Sequence, residues 1–331
     1  MTVAPEPGAE RDRSARRDAL RGREAAGESG ARSRRVVGIF GPTAVGKTDI
    51  AIALARRLRD GGEDPVAVSA DALAVYAGLD IITGVPAPDQ RAALEHRLVS
   101  FVPLGERFSA GRYSALAHAE IDSLLSEGRT PLVVGGTGLY LRAALAELDL
   151  RPAPPREMRE RWQRRLEQEG SEALHAELVE RAPWAAAGIG PRDRQRLVRA
   201  LELEELGALE PRAGDSQLWS EATRHPTRLF GLLMRREDLY ARIDARVEGM
   251  IGAGAVEQVG AAEAAGASST ARRALGFDEL LRGDVEAMKR RTRNYARRQL
   301  TWMRKLPAVE LVDVTGREAV EVGEELAERL K

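Results

Sequence analysis

The run Val36-Val37-Gly38-Ile39-Phe40-Gly41-Pro42-Thr43-Ala44-Val45-Gly46-Lys47-Thr48 decides the fold of this chain. Val36 to Phe40 reads as a buried strand, and Gly41 to Thr48 fits G-x-x-x-x-G-K-[ST], the phosphate-cradling loop. Asp49 to Leu58, with apolar Ile50, Ile52, Leu54 and Leu58, reads as the helix that follows. In that order the amides of Gly41, Pro42 (which supplies only its carbonyl), Thr43, Ala44, Val45 and Gly46 ring an anion. The helix start adds about half a positive charge, and Lys47 reaches outer phosphate oxygens. The Thr48 hydroxyl is the expected Mg²⁺ ligand. The bland alternative, a glycine-rich turn, does not need the strand on one side and the helix on the other.

Working outward, continuous apolar runs recur between helical stretches: 66–68, 98–102, 132–134 and 229–233. Runs without alternation suit strands covered on both faces. The expected fold is α/β, a P-loop NTPase-like parallel sheet flanked by helices, with ligands beyond the carboxyl ends of the strands. The alternation stops at the proline-rich 151–155, and a charged helical stretch follows. We therefore expect a helical insertion domain at 154–222 inside a core made of 35–153 and 223–331, whose final part, from 235 onward, is mostly helical. Residues 1–34, rich in Ala, Gly, Arg and Glu, have little to bury and read as a disordered tail.

Composition narrows the function. The 331 residues carry no net charge, which argues against a uniformly basic coat. With 0 Cys, disulfides, thiolate zinc sites and cysteine catalysis are excluded, and a cytoplasmic protein is expected. The 4 His are scattered without metal-ligand spacing. No apolar run is long enough for a membrane helix, and a monomer is expected.

Three further elements carry chemistry. Asp71 ends Val66-Ala67-Val68-Ser69-Ala70-Asp71, at the rim where the phosphate loop lies. It reads as a general base, a Mg²⁺ ligand or a helix N-cap. Gly135-Gly136-Thr137-Gly138-Leu139-Tyr140 follows another strand; its glycines allow close approach to a ligand, and Thr137 offers a hydroxyl. A tight strand-to-helix turn is the plain alternative. Residues 290–305 contain no acid. On a helix Met288, Tyr295, Trp302 and Leu306 form a buried stripe, with Arg290, Arg293, Arg297 and Arg304 in one exposed row and Arg291, Arg298 and Lys305 in another. Unpaired cations along about 20 Å of helix suit a polyphosphate backbone. Arg192, Arg196 and Arg199 make a second stripe in the insertion, so the two suggest a clamp.

Together these segments resemble the tRNA dimethylallyltransferase family, also called tRNA isopentenylpyrophosphate transferases. The most specific markers are Asp193-Arg194-Gln195-Arg196-Leu197-Val198-Arg199-Ala200-Leu201-Glu202 and Tyr295-Ala296-Arg297-Arg298-Gln299-Leu300-Thr301-Trp302. The resemblance implies transfer of a dimethylallyl group from dimethylallyl diphosphate to N6 of the adenosine 3′-adjacent to the tRNA anticodon. It assigns proton acceptance to Asp71, a substrate-facing turn to Thr137 and a diphosphate contact to Arg242. It implies tRNA anticodon stem-loop contacts at Asp71-Ala72-Leu73-Ala74, Thr137, Arg159 and Gln195, Arg196, Leu197, Val198, Arg199. To these the arginine rows add Arg293, Arg297 and Arg298. Two departures stand out: Ala74 replaces a family glutamine, and Val85 a family lysine. An adenylate isopentenyltransferase would share the phosphate loop but would not need the arginine rows. A P-loop kinase would be expected to carry an acid after strand 132–134. A non-catalytic RNA-binding module would not need Lys47-Thr48 beside Asp71.

Overall fold

A computed structural model describes residues 35–151, 153–211 and 217–331. The expected tail at 1–34 lies outside them. Six parallel strands make one sheet in the order β3-β2-β4-β1-β5-β6. They are β1 (Val36–Phe40), β2 (Pro65–Ser69), β3 (His96–Arg97), β4 (Thr130–Gly135), β5 (Thr227–Leu233) and β6 (Val309–Asp313). The main helices are α1 (Lys47–Asp60), α2 (Ala110–Ser126), α3 (Gly138–Leu145), α4 (Arg156–Arg181) and α5 (Arg194–Glu205). After them come α6 (Arg236–Gly252), α7 (Ala255–Ala264), α8 (Val285–Met303) and α9 (Ala319–Arg329). Among the described residues no helix is long and apolar enough to cross a membrane.

Burial on both faces explains the unbroken apolar strands. Val36 and Phe40 of β1 pack with Tyr113 and Ile121 of α2 and Leu141 of α3. Val37 and Ile39 face the other way, onto Ile50, Leu54 and Leu58 of α1 and Val322 and Leu326 of α9. Each such aliphatic side chain removed from water contributes about 1.5–3 kcal/mol. A third apolar cluster, Trp162, Leu174, Leu178, Leu197 and Leu201, sits between α4 and α5 and gives these two helices a core of their own.

One expected strand is corrected, and one strand was not expected. The run 98–102 is not a strand: Leu98 and Ser100 take φ of 59° and 49°, which breaks an extended backbone, and pairing with β2 uses His96–Arg97 instead. Val102 keeps only an isolated parallel bridge to Tyr76. The sixth strand, β6, pairs with β5 inside the stretch expected to be mostly helical. It is an edge strand with Leu311 50% exposed, too polar to stand out by pattern. Arg192 also departs from expectation. It lies in the turn before α5, whose start is capped by Asp193 accepting from the Arg196 amide at 3.2 Å, so Arg192 shares no helical face with Arg196 and Arg199.

Candidate active site and its cleft

The phosphate loop follows β1 at its carboxyl end. Gly46 takes φ of 97°, a conformation that only glycine adopts without strain, and this turn leads straight into α1. Lys47 opens that helix and its Nζ donates to the carbonyls of Gly41 at 3.1 Å and Pro42 at 2.8 Å, tying the loop across itself. Burial, assisted by the nearby Arg246 guanidinium and opposed by Asp71, pulls the Lys47 ammonium down to about 8. The loop borders a cavity of about 330 Å³ whose polar wall includes Lys47, Thr48, Asp49, Ser69, Asp71 and Arg246. Its apolar wall includes Ile82, Val99, Val247, Met250 and Leu275.

Asp71 reaches that cavity from the end of β2. Its Oδ1 accepts from the amides of Leu73 at 2.9 Å and Ala74 at 3.2 Å, so the carboxylate does cap the segment after it, which is a turn and not a helix. Oδ2 has no hydrogen-bond partner among the described residues. Capping this turn and lining the cavity therefore coexist in one carboxylate. Leu73 and Ala74 line the same cavity, and Ala74 is buried.

The glycines after β4 serve close packing within the protein. A Cβ on Gly135 would come within 2.2 Å of the Ala70 carbonyl oxygen, and one on Gly136 within 2.2 Å of Gln299 Nε2. Thr137 Oγ1 accepts from the Ala72 amide at 3.3 Å and shares a hydrogen bond with the Tyr295 hydroxyl at 3.3 Å. Thr137 thus braces the turn that carries Asp71. Gln299, only 4% exposed, accepts from the Thr43 amide at 2.9 Å and donates to the Gly136 carbonyl at 2.8 Å. One side chain of α8 thereby joins the phosphate loop to the β4 turn. Burial and the Asp71 charge push the Tyr295 phenol up to about 12, so it stays a neutral hydroxyl.

Tyr295 and Gln299 also border a second, larger space. This cleft, about 1420 Å³, runs between α8 and the insertion, lined by Thr137, Arg159, Gln195, Arg196, Arg199, Arg298, Trp302 and Lys305. Its cations are less free than the sequence suggested. Arg293 donates to both oxygens of Asp244 at 2.6 and 2.7 Å, and Arg291 to Glu279 at 2.7 Å, both acids coming from other helical segments. Arg297, Arg298, Arg304 and Lys305 have no carboxylate within salt-bridge distance among the described residues. In the insertion, Glu202 is 0% exposed and accepts from Arg159 Nε and Nη2 at 2.7 and 2.8 Å and from Arg199 at 3.3 Å. Leu197, 0% exposed, belongs to the insertion core and cannot touch a ligand, while Val198 is 7% exposed on the cleft floor. The stripe expected on α8 is likewise shifted: Met288, Thr292, Ala296, Gln299 and Met303 are buried, whereas Tyr295 and Trp302 edge onto the cleft.

Arg242 lies above the phosphate loop, its Nη1 3.7 Å from where a Gly46 Cβ would stand, outside the cavity lining. One turn further along α6, Arg246 lines the cavity. Burial lowers its pKa, with Asp71 and Asp49 pulling the other way. Arg246, Tyr295 and Gln299 were missed as site residues. Arg246 could have been found from its i,i+4 spacing with Arg242; nothing in the spacing of Tyr295 and Gln299 marks them as facing the loop. Among the described residues no group of three or more His, Cys, Asp or Glu could hold a metal. The hydroxyl and carboxylate oxygens of Thr48, Asp49, Ser69 and Asp71 line the cavity beside the loop, a hard-donor set that fits Mg²⁺ completed by substrate phosphate.

Comparison with known proteins agrees with this architecture. The family described as IPP transferase matches residues 74–306. A tRNA dimethylallyltransferase of Kineococcus radiotolerans is 41% identical over 286 residues, 83% of this chain and 89% of the relative. One from Anaeromyxobacter dehalogenans is 42% identical over 281 residues, 82% and 92% of the two chains. The crystal structure of the full-length tRNA isopentenylpyrophosphate transferase from Bacillus halodurans superposes with a TM-score of 0.64 at 30% identity, covering 90% of this chain and 97% of that one.

Proposed function

This chain belongs to the IPP transferase family and has tRNA dimethylallyltransferase activity, and we propose that the acceptor is N6 of the adenosine 3′-adjacent to the anticodon. The observation that carries the reading is the junction of two unlike spaces. A phosphate-loop cavity with an apolar wall meets a cation-lined cleft at Tyr295 and Gln299, beside Asp71 and Thr137. The first suits a short prenyl diphosphate and the second an RNA loop.

In this reading the diphosphate lies on the loop amides, with Lys47 and Arg246 countering its charge. The dimethylallyl chain packs against Ile82, Val247 and Met250, away from water. Thr48, with substrate oxygens, would hold Mg²⁺, which when bound offsets charge on the leaving diphosphate. The target adenine must leave its stack to arrive from the cleft, because N6 is out of reach inside a stacked loop. N6 attacks the allylic C1, the C1–O bond breaks, and the bonding pair departs on the diphosphate. The N6 proton passes to Asp71 Oδ2, while the Leu73 and Ala74 amides hold Oδ1 and with it the aim of the carboxylate. Pre-placed amides and cations stabilise the departing charge without rearranging. Ala74 offers no side-chain amide to the base, so its readout falls to backbone and to Tyr295 and Thr137. The helical insertion at 154–222 would grip the stem-loop through Arg196 and its neighbours.

The test incubates the full chain with Mg²⁺, labelled dimethylallyl diphosphate and a tRNA carrying adenosine beside the anticodon. Label is expected on that adenosine's N6. Label in free AMP in place of tRNA would transfer the acceptor role to the nucleotide, and label elsewhere in the tRNA would refute the assigned position.

A further inference from the structure

We infer that Trp184 forms a stacking platform for an unpaired nucleobase of the RNA loop, a subsite separate from the pocket that takes the target adenine. Trp184 lies in the short helix Pro183–Ala186, within the insertion, and lines the cleft. It is 47% exposed. Tryptophan is enriched where an apolar ring must meet a partner at a wet surface, and this one stands in a cation-lined cleft.

The other tryptophans have ring partners. Trp162 lies under Arg165 and Arg181, and Trp219 and Trp302 pack against each other at a 49° tilt with centroids 4.7 Å apart. Trp184 has no aromatic or cationic partner on its ring among the described residues. The residues that follow it, Ala185, Ala186, Ala187 and Gly188, are small. Arg194 and Arg196, at the start of α5, line the same cleft and supply the charge that an RNA backbone needs. An exposed indole and guanidinium groups lining one cleft is the combination that single-stranded RNA favours: the ring takes a base and the cations take its phosphates. The two acids among the cleft's lining residues, Glu202 and Glu210, are each taken by an arginine, Arg159 and Arg151, while Arg194, Arg196, Arg298 and Lys305 line it as well, so the cleft favours a polyanion over an ordinary protein surface.

The inference rests on the tRNA reading above. It is tested with the full chain and an anticodon stem-loop RNA, comparing wild type, Trp184→Ala and Trp184→Phe. Trp184→Ala is expected to weaken stem-loop binding by about 10-fold, and Trp184→Phe by less than about threefold. Turnover at saturating RNA and the KM for dimethylallyl diphosphate should be unchanged in both. A scan of single abasic positions through the loop then identifies the stacked base. One position should weaken wild-type binding by the same factor and leave Trp184→Ala unaffected. Equal binding by Trp184→Ala and wild type overturns the inference, as does a scan in which every abasic position weakens both proteins alike. Failure of wild type to modify any adenosine-bearing stem-loop or tRNA would overturn the tRNA reading as well, so the two failures are told apart.

Discussion

The phosphate loop and the α8 cleft wall both face anions, yet they are made differently. At the loop, geometry comes from backbone: Gly46 in a left-handed turn, amides converging at a helix start, Lys47 folded over Gly41 and Pro42. On α8, geometry comes from long side chains whose freedom depends on which acids neighbouring helices supply. Asp244 and Glu279 take Arg293 and Arg291 out of play, while Arg297, Arg298 and Lys305 stay available. A backbone-built site is fixed by its own short sequence. A side-chain-built site is fixed only when the whole fold has formed.

The largest effect should fall at the boundary between the two. Asp71→Ala is expected to lower turnover by at least about 10²-fold while stem-loop affinity holds, because a positioned base contributes that much and touches no backbone phosphate. Turnover within a few-fold of wild type would strip Asp71 of the proton-accepting role. Next comes the pH response of the loop. The Lys47 ammonium, lowered to about 8, must be charged to meet the diphosphate, so deprotonation above that pH removes the favourable partner. Accordingly kcat/KM for dimethylallyl diphosphate should fall about tenfold per pH unit above that point. Lys47→Arg, which stays charged, should lose this limb even if its overall rate is lower. An identical limb in Lys47→Arg would assign it to another group.

The cleft wall should respond more gently and differently. Arg297→Ala is expected to weaken tRNA binding about three- to tenfold and to reduce the slope of log affinity against log salt by about one. Arg293→Ala supplies the contrast, since its guanidinium is engaged by Asp244. It should leave the salt slope unchanged and cost on the order of 1 kcal/mol in stability as a part-exposed ion pair is lost. Equal salt slopes for the two variants would erase the distinction between paired and free cations.

These contrasts explain which parts of the molecule were legible. β1, the loop and α1 could be read because each residue's role depends on neighbours within a few positions. β2, β4 and β5 could be read because two-sided burial leaves an unbroken apolar run. β6 could not, since an edge strand buried on one face carries little pattern, and the Leu98–Val102 run misled because apolar content does not report φ. Asp71, Thr137 and the phosphate loop were named from sequence, but not the mesh between them. The Ala72–Thr137–Tyr295 chain and the Gln299 bridge span 65 to 256 residues of sequence.

By itself the amino-acid order determined an anion cradle on a parallel sheet, a carboxylate at the adjoining strand end, and a basic helix. Local dihedral preferences and hydrophobic periodicity are short-range, so they survive without knowledge of the fold. Only the tertiary structure decided which arginines are neutralised, that Arg246 joins the cavity, and that one face of α8 serves both spaces. Electrostatic pairing and shared walls depend on distances through space, and those exist only once remote segments have been packed together.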